Sequence, residues 1–478
     1  MSKVQNDFGL QTLDIRLTSG GAALKRESLR AYAEKEKNRY ENLLESFVNI
    51  PSVSVDPTHS MDIEAIASLA AQTIHDLGGE AHIYRTDSAY PLIHGIFHQG
   101  NNYPTVTVYN HLDVQPAEKV AEGWRTDPFI FTKDGDRYWA RGTTDDKGPA
   151  LTALLGARAA VEAGVQANIH FLWETEEEIG SPNFEKLVQK AGKALATNSV
   201  VVSDTMWLSR TRPTITAGLR GFQTIRLELE TGVSDQHSGD TGGAARNPIG
   251  ELMKVVCEIY DPQTGHVRVP GFYDDVIPPT KKELEDFRRS GVTSNQFKKT
   301  YQFKSLRTND SLEIMKRIWA MPTFEIHGVT GGYTGPGIKA IVPPRAEVKA
   351  SCRLVPDQKP AKISRLIKDF VKKKNPDVKV HAEAGGVALK GTTSGPFADA
   401  VKRSIRFAFG KDPAFVREGG SIGSIVTIQK HLKCPVMFLG LSLPEHGYHA
   451  PNENFDWQQA SGGIAAFAQY FEEIANLR

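Results

Sequence analysis

The sequence predicts an α/β domain interrupted by an α+β insertion. Strand-like runs at 104–109, 168–173, 199–203 and 434–441 are separated by helix-patterned segments, the signature of a layer with parallel crossovers. From about Pro213 to about Ala388 the pattern changes, with the amphipathic strands "QTIRLELETG", "AEVKASCRLVP" and "VKVHAEAG" and two helical stretches near 248–260 and 361–374. Beyond it, "GPFADAVKRSIRFAFG" and "CPVMFLGL" return to helix-then-strand order. The first domain is therefore discontinuous, about 1–212 plus 389–478, around an inserted unit at 213–388.

Each element has a local cause. Residues 27–49 carry apolar positions at helical spacing and stop before Pro51; a second helix over 61–77 is stopped by Gly78 and Gly79. The segment "PALTALLGARAAVEAG" supplies a helix between the first two strands of the layer. A chain of 478 residues exceeds one ordinary core, which agrees with two domains. With 57 Lys and Arg against 56 Asp and Glu, the charge balance offers no footing for nucleic acid. No apolar run approaches the roughly 18 residues of a membrane span, and the N-terminal "MSKVQNDFGLQTLDIRLTSGG" has no apolar core, so no membrane partner is expected. Three scattered cysteines argue against a disulfide framework and fit a reducing, cytoplasmic compartment.

The strand ends carry the chemistry. "TVTVYNHLDV" runs into His111 and Asp113; "NIHFLWE" runs into Glu174, Glu176, Glu177 and Glu178; "SVVVSD" ends at Asp204; "CPVMFLGL" is followed by "PEHGYHAPNE" with His446 and His449. "RGTTDDKG" adds the adjacent Asp145 and Asp146. In open α/β sheets ligands gather at the carboxyl ends of the strands. So many carboxylates in one crevice require positive charge among them, and two histidines with four or more acids suffice for two metal ions. Ligation by His, Asp and Glu without Cys suits Zn²⁺, with Mn²⁺ or Co²⁺ as substitutes.

The motifs "HLDV", "ARGTTDDKGP", "ETEEEIGSPNF", "VVSDTMW", "SDQHSGDTGG", "CRLVPDQ", "REGGSIGSI" and "HAPNE" follow one another over roughly residues 27–475. In that order they resemble the M20 metallopeptidases, and most of all the branch of carnosine and non-specific cytosolic dipeptidases. The resemblance implies a di-metal hydrolase domain with an inserted lid and dimerisation domain. It implies that His111 and Asp204 hold one metal, Glu178 and His449 the other, and that Asp145 bridges them across a cis bond to Asp146. Glu177 is then the general base and Asp113 the partner that orients His111, while His446, Glu174, Glu176 and Asp146 stand outside the ligand set.

The same resemblance makes His237 a group that reaches the neighbouring subunit's site in a homodimer and polarises the scissile carbonyl. It makes Arg353, Gly419, Gly420 and Ser421 the holders of a free carboxylate. The implied reaction is hydrolysis of a dipeptide or short peptide. The rivals are an M20-type amidohydrolase acting on N-acyl amino acids or a diaminopimelate precursor, and a non-catalytic binding protein on the same fold. Other histidines inside helix or strand patterns, such as His75, His94, His170 and His327, read as structural, and "QFKKTYQFK" at 296–304 as an exposed lid surface.

Overall fold

The computed structural model describes residues 23–420 and 422–477, so the polar N-terminal leader and Ser421 lie outside the described residues. The central sheet has the order Glu80–Thr86, Ala89–Phe97, Asn168–Glu174, Thr105–His111, Ser199–Val202, Val436–Phe438. The first two strands run antiparallel, and the last four are mutually parallel. Their carboxyl ends therefore share one edge, as expected of an α/β layer.

Helices cover the sheet because their apolar faces have nowhere else to go. Arg26–Val48 buries Leu29, Tyr32, Tyr40, Leu44 and Phe47 in a core shared with Lys147–Glu162 and Trp457–Ala475. The last two helices touch at Gly156, where a Cβ would lie 2.7 Å from that of Phe467, so any larger residue would push them apart.

A second, antiparallel sheet has the order Thr323–Gly331, Arg345–Leu354, Gly221–Glu230, Lys379–Gly386. The helices Pro248–Ile259 and Pro360–Lys374 cover one of its faces around Ile225, Leu227, Val256, Val348 and Ile367. The strand Thr214–Leu219 does not join this sheet: it pairs in parallel with Ala414–Glu418 and antiparallel with Leu389–Lys390. The chain passes from one sheet system to the other through Arg220 alone, and returns between Gly386 and Leu389. These two crossings touch, since a Cβ on Gly221 would lie 2.4 Å from the oxygen of Gly386 and 2.6 Å from the nitrogen of Ala388.

Three helices of the insertion have no counterpart in the sequence pattern read above: Lys281–Arg289, Ser294–Thr300 and Ser311–Ala320. They carry Phe287, Met315 and Trp319 into a small core with Val416 of the strand Ala414–Glu418. The segment 296–304 is mostly exposed, as expected, and its Phe297, Tyr301 and Phe303 also line a half-open cavity. No helix among the described residues is long and apolar enough to cross a membrane.

Candidate metal centre

The strand Thr105–His111 places His111 at its end, and the next residues turn away from the sheet. Nδ1 of His111 lies 3.0 Å from the main-chain oxygen of Asp113 and 3.5 Å from Oδ1 of the same residue. Nδ1 therefore carries a hydrogen, and Nε2 is left facing Oδ1 of Asp145 at 2.9 Å and Oδ2 of Asp204 at 3.9 Å. The Asp113 carboxylate has other work, accepting from the amides of Glu177 at 3.2 Å and Glu178 at 3.0 Å and from the Ser54 hydroxyl at 2.6 Å.

The second imidazole comes from the loop after the last parallel strand. Nε2 of His449 lies 3.0 Å from Oδ2 of Asp145 and 3.1 Å from Oε2 of Glu178. Asp145 thus stands between the two imidazoles, and its peptide bond to Asp146 is cis. His111, Glu177 and Asp204 each bring one ligand atom within 4.8 Å of the others, and His111, Asp145 and Glu178 do the same. Glu177 accordingly stands among the ligand atoms themselves.

The electrostatics favour added positive charge. Burial pushes Glu177 well above the usual carboxylate range, and the His111 contact only partly offsets it. Burial likewise raises Glu178, with Asp145 adding to the rise, and pushes Asp204 up to about 6. Burial opposes charge on His111, yet its contacts with Asp113 and Asp145 outweigh it and raise the imidazole. Contacts with Asp145 and Glu178 raise His449 to about 11. Acids driven toward neutrality beside imidazoles driven toward protonation form a donor set that divalent cations fit. Oδ2 of Asp145, buried and without a well-formed hydrogen bond, supports the same fit.

Several supporting groups were not singled out from the sequence. Glu453, within "HAPNE", is fully buried and accepts from Arg141 and from the amides of Gly142, Thr144 and Asp145, so it shapes the loop that presents Asp145. The Tyr448 hydroxyl donates to Asp204 at 3.0 Å, and Gln115 donates to Glu178 at 2.7 Å. Both flank named motifs, which was the available signal. Glu174 bonds the Tyr109 hydroxyl and Ser181, Glu176 accepts from the amides of Tyr90 and Asn183, and His446 pairs with Asp456 at 3.0 Å, all apart from the cluster.

Asp145, Glu177, Asp204 and His449 face a cavity of about 780 Å³ also lined by Arg220, Gly419 and Gly420. Arg353 is not among the residues lining it, although it lies close enough to Arg220 to lower that residue's basicity further, after burial. His237 lies outside the cavity on the two-residue strand Gln236–His237, with its side chain 67% exposed.

Comparison with known proteins agrees with this arrangement. Over 94% of its length the chain is 30% identical to the human β-Ala-His dipeptidase, covering 93% of that protein. It is 31% identical to the Cys-Gly metallodipeptidase dug1 of Schizosaccharomyces pombe, over 94% of this chain and 98% of the relative. Among solved structures it superposes on the dipeptidase Dug1p of Saccharomyces cerevisiae with a TM-score of 0.82 at 27% identity, covering 94% of this chain and 98% of that one. It superposes on the M20 metallo-carboxypeptidase Sso-CP2 of Sulfolobus solfataricus with a TM-score of 0.83 at 29% identity, covering 91% and 98%. Residues 107–473 match the model of peptidase family M20/M25/M40, and the chain belongs to that family.

Proposed function

We propose that this chain is a metal-dependent dipeptidase acting on substrates with a free C-terminal carboxylate. The observation that carries the reading is the convergence of His111, Asp145, Glu177, Glu178, Asp204 and His449 into one cluster, of which Asp145, Glu177, Asp204 and His449 line the cavity. The naming of relatives as dipeptidases for β-Ala-His and Cys-Gly supports it. His111 and Asp204 would hold one ion and Glu178 and His449 a second, with Asp145 shared, and zinc suits these donors. The ions supply Lewis acidity toward the scissile carbonyl and acidify the attacking water.

The chain's own groups then divide the work. Glu177 takes the proton of the attacking water and returns it to the leaving amine. Asp113 fixes the amides of Glu177 and Glu178, and so the starting point of both side chains. Gly419, Gly420 and Ser421, with Arg353 behind Arg220, hold the substrate carboxylate. Nδ1 of His237 accepts from the Gly239 amide at 3.0 Å, so its hydrogen sits on Nε2, the form that can donate to a carbonyl oxygen.

Because His237 is exposed and outside its own cavity, we assign it to the site of a second subunit in a homodimer. The exposed Ile326 and Val329 on the edge strand Thr323–Gly331, with Ile338 beyond, support such a contact. In this reading residues 1–212 and 389–478 form the catalytic unit and 213–388 the lid, except that the strand Thr214–Leu219, by its pairing with Leu389–Lys390 and Ala414–Glu418, goes with the catalytic unit. The free thiols of Cys257, Cys352 and Cys434 support a cytoplasmic setting.

The test is a zinc-reconstituted screen against unmodified dipeptides and N-acyl amino acids. Release of free amino acids from dipeptides is expected. Turnover of N-acyl amino acids alone would replace this reading with the amidohydrolase one.

A further inference from the structure

We propose that the apolar part of the cavity is a side-chain pocket selecting dipeptides whose C-terminal residue is bulky and apolar, an inference that rests on the dipeptidase reading above. The volume of about 780 Å³ lies high in the range of roughly 300–1,000 Å³ usual for ligand sites. A dipeptide of two small residues leaves much of that space unfilled.

The lining of the cavity has two chemistries. Asp145, Glu177 and Asp204 belong to the acidic cluster, while Leu208, Phe297, Met315, Ile318 and Trp319 share one apolar cluster, with Trp207 also on the wall. That wall is held from behind. Nε1 of Trp207 donates to the Gly440 oxygen at 2.8 Å, and its ring meets Phe409 edge-on at 4.7 Å. Trp319 meets Phe287 edge-on at 5.0 Å, and Met315 and Trp319 share a core with Val416. A wall braced in this way keeps its shape before a ligand arrives, which lowers the ordering cost of binding.

Two of the cations lining the cavity are already engaged, Arg212 donating to the Gly291 carbonyl and Arg417 pairing with Glu283, and the Glu418 carboxyl on the same wall disfavours an anion there. An apolar side chain is therefore the group that gains most from entering.

The position of Val416 decides which side chain that is. It lies on the strand that runs directly into Gly419 and Gly420, the assigned carboxylate holders, so the residue bearing the free carboxylate is the one beside the apolar wall. The lid helix Ser311–Ala320 thus acts as a specificity element, through Ile318 and Trp319.

The experiment compares kcat/KM for Ala-Ala, Ala-Phe and Phe-Ala with the zinc-reconstituted full chain. Ala-Phe is expected to exceed both others by at least about tenfold, since a single methylene in an apolar pocket is already worth roughly 10–200-fold. Ile318→Trp, which fills the pocket from a half-buried position, should lower the Ala-Phe to Ala-Ala ratio by at least about tenfold. Phe303→Ala, at an exposed position on the rim, should lower the same ratio more mildly and serves where the first variant does not fold. Equal rates on the three peptides, a preference for Phe-Ala, or a ratio that neither variant moves would overturn the pocket and leave the dipeptidase reading intact. Hydrolysis of none of the three would overturn that reading and the pocket with it.

Discussion

The main-chain oxygen of Asp113, not its carboxylate, makes the shorter contact with Nδ1 of His111, at 3.0 Å against 3.5 Å. The carboxylate instead spans the amides of Glu177 and Glu178. One residue thus fixes a histidine on one strand end and two acids on the next.

Asp113→Asn tests that bridge. The carboxamide would set an N–H₂ group against donors that now meet an oxygen, so the turn carrying Glu177 and Glu178 should shift. Activity is expected to fall by roughly 10–100-fold, the range for losing a group that orients metal ligands. A variant with full kcat and full metal content would show that the amides are positioned without it.

Glu177 and Asp145 should separate under metal analysis. Glu177→Ala is expected to keep most of its metal while kcat drops by roughly 10²–10⁴-fold, and Asp145→Ala to lose at least one ion. Since Glu177 stands among the ligand atoms, an empty Glu177→Ala protein would assign it to coordination instead.

Subunit mixing tests His237. Glu177→Ala and His237→Ala homodimers should each be nearly inactive, while a mixed dimer contains one whole site. Random pairing makes half the dimers mixed, restoring about a quarter of all sites. Activity that stays at the level of the single mutants after verified exchange would place His237 outside the neighbour's site.

Glu453 carries a structural prediction. It and Arg141 are buried with 2.9 Å between them, and removing one partner leaves a buried charge unmatched. Glu453→Ala should cost about 3–5 kcal/mol, read from denaturant unfolding. A stability equal to the parent would mean that the loop at 141–145 holds without its central acceptor.

Acid should weaken the fold through His94 and His170, whose rings lie 3.1 Å apart at nearest nitrogens. Burial lowers His94 to about 3 and His170 to about 4. Between pH 6.5 and about 4 the unfolded chain binds protons that the folded pair refuses, so stability falls as pH falls through that window, by an amount on the order of 3 kcal/mol for each imidazole. Replacing His94 by Leu should flatten this limb of a stability–pH curve; an unchanged slope would assign the acid sensitivity elsewhere.

The sequence made the parallel layer and its loaded strand ends legible because runs rich in β-branched and apolar residues precede each acid or histidine, although the alternation in "TVTVYN" hid that this strand is buried on both faces. The short lid helices were less visible: "KKELEDFRR" and "SNQFKKT" are mostly polar, and only Phe287 of the first is fully covered. Their start signals were nonetheless present, since Thr280 with Glu283 and Thr293 with Gln296 form capping boxes. At the site, His111, Asp145, Glu178, Asp204 and His449 could be named as candidate ligands because they sit in short motifs. Arg220 could not, because its place in the cavity comes from a crossing between two sheets that no local pattern records.

That crossing has a mechanical meaning. With both passages of the chain meeting at Gly221 and Gly386–Ala388, the two sheets are joined at one place, with Arg220 next to it at the cavity wall. The contact of Phe287, Met315 and Trp319 with Val416 sits beside that crossing, on the strand whose Glu418 oxygen accepts from the Arg220 amide at 3.2 Å. A side chain lodged against Trp319 therefore presses on packing that flanks the crossing, and amide exchange near 221 and 387 is expected to slow when the cavity is filled.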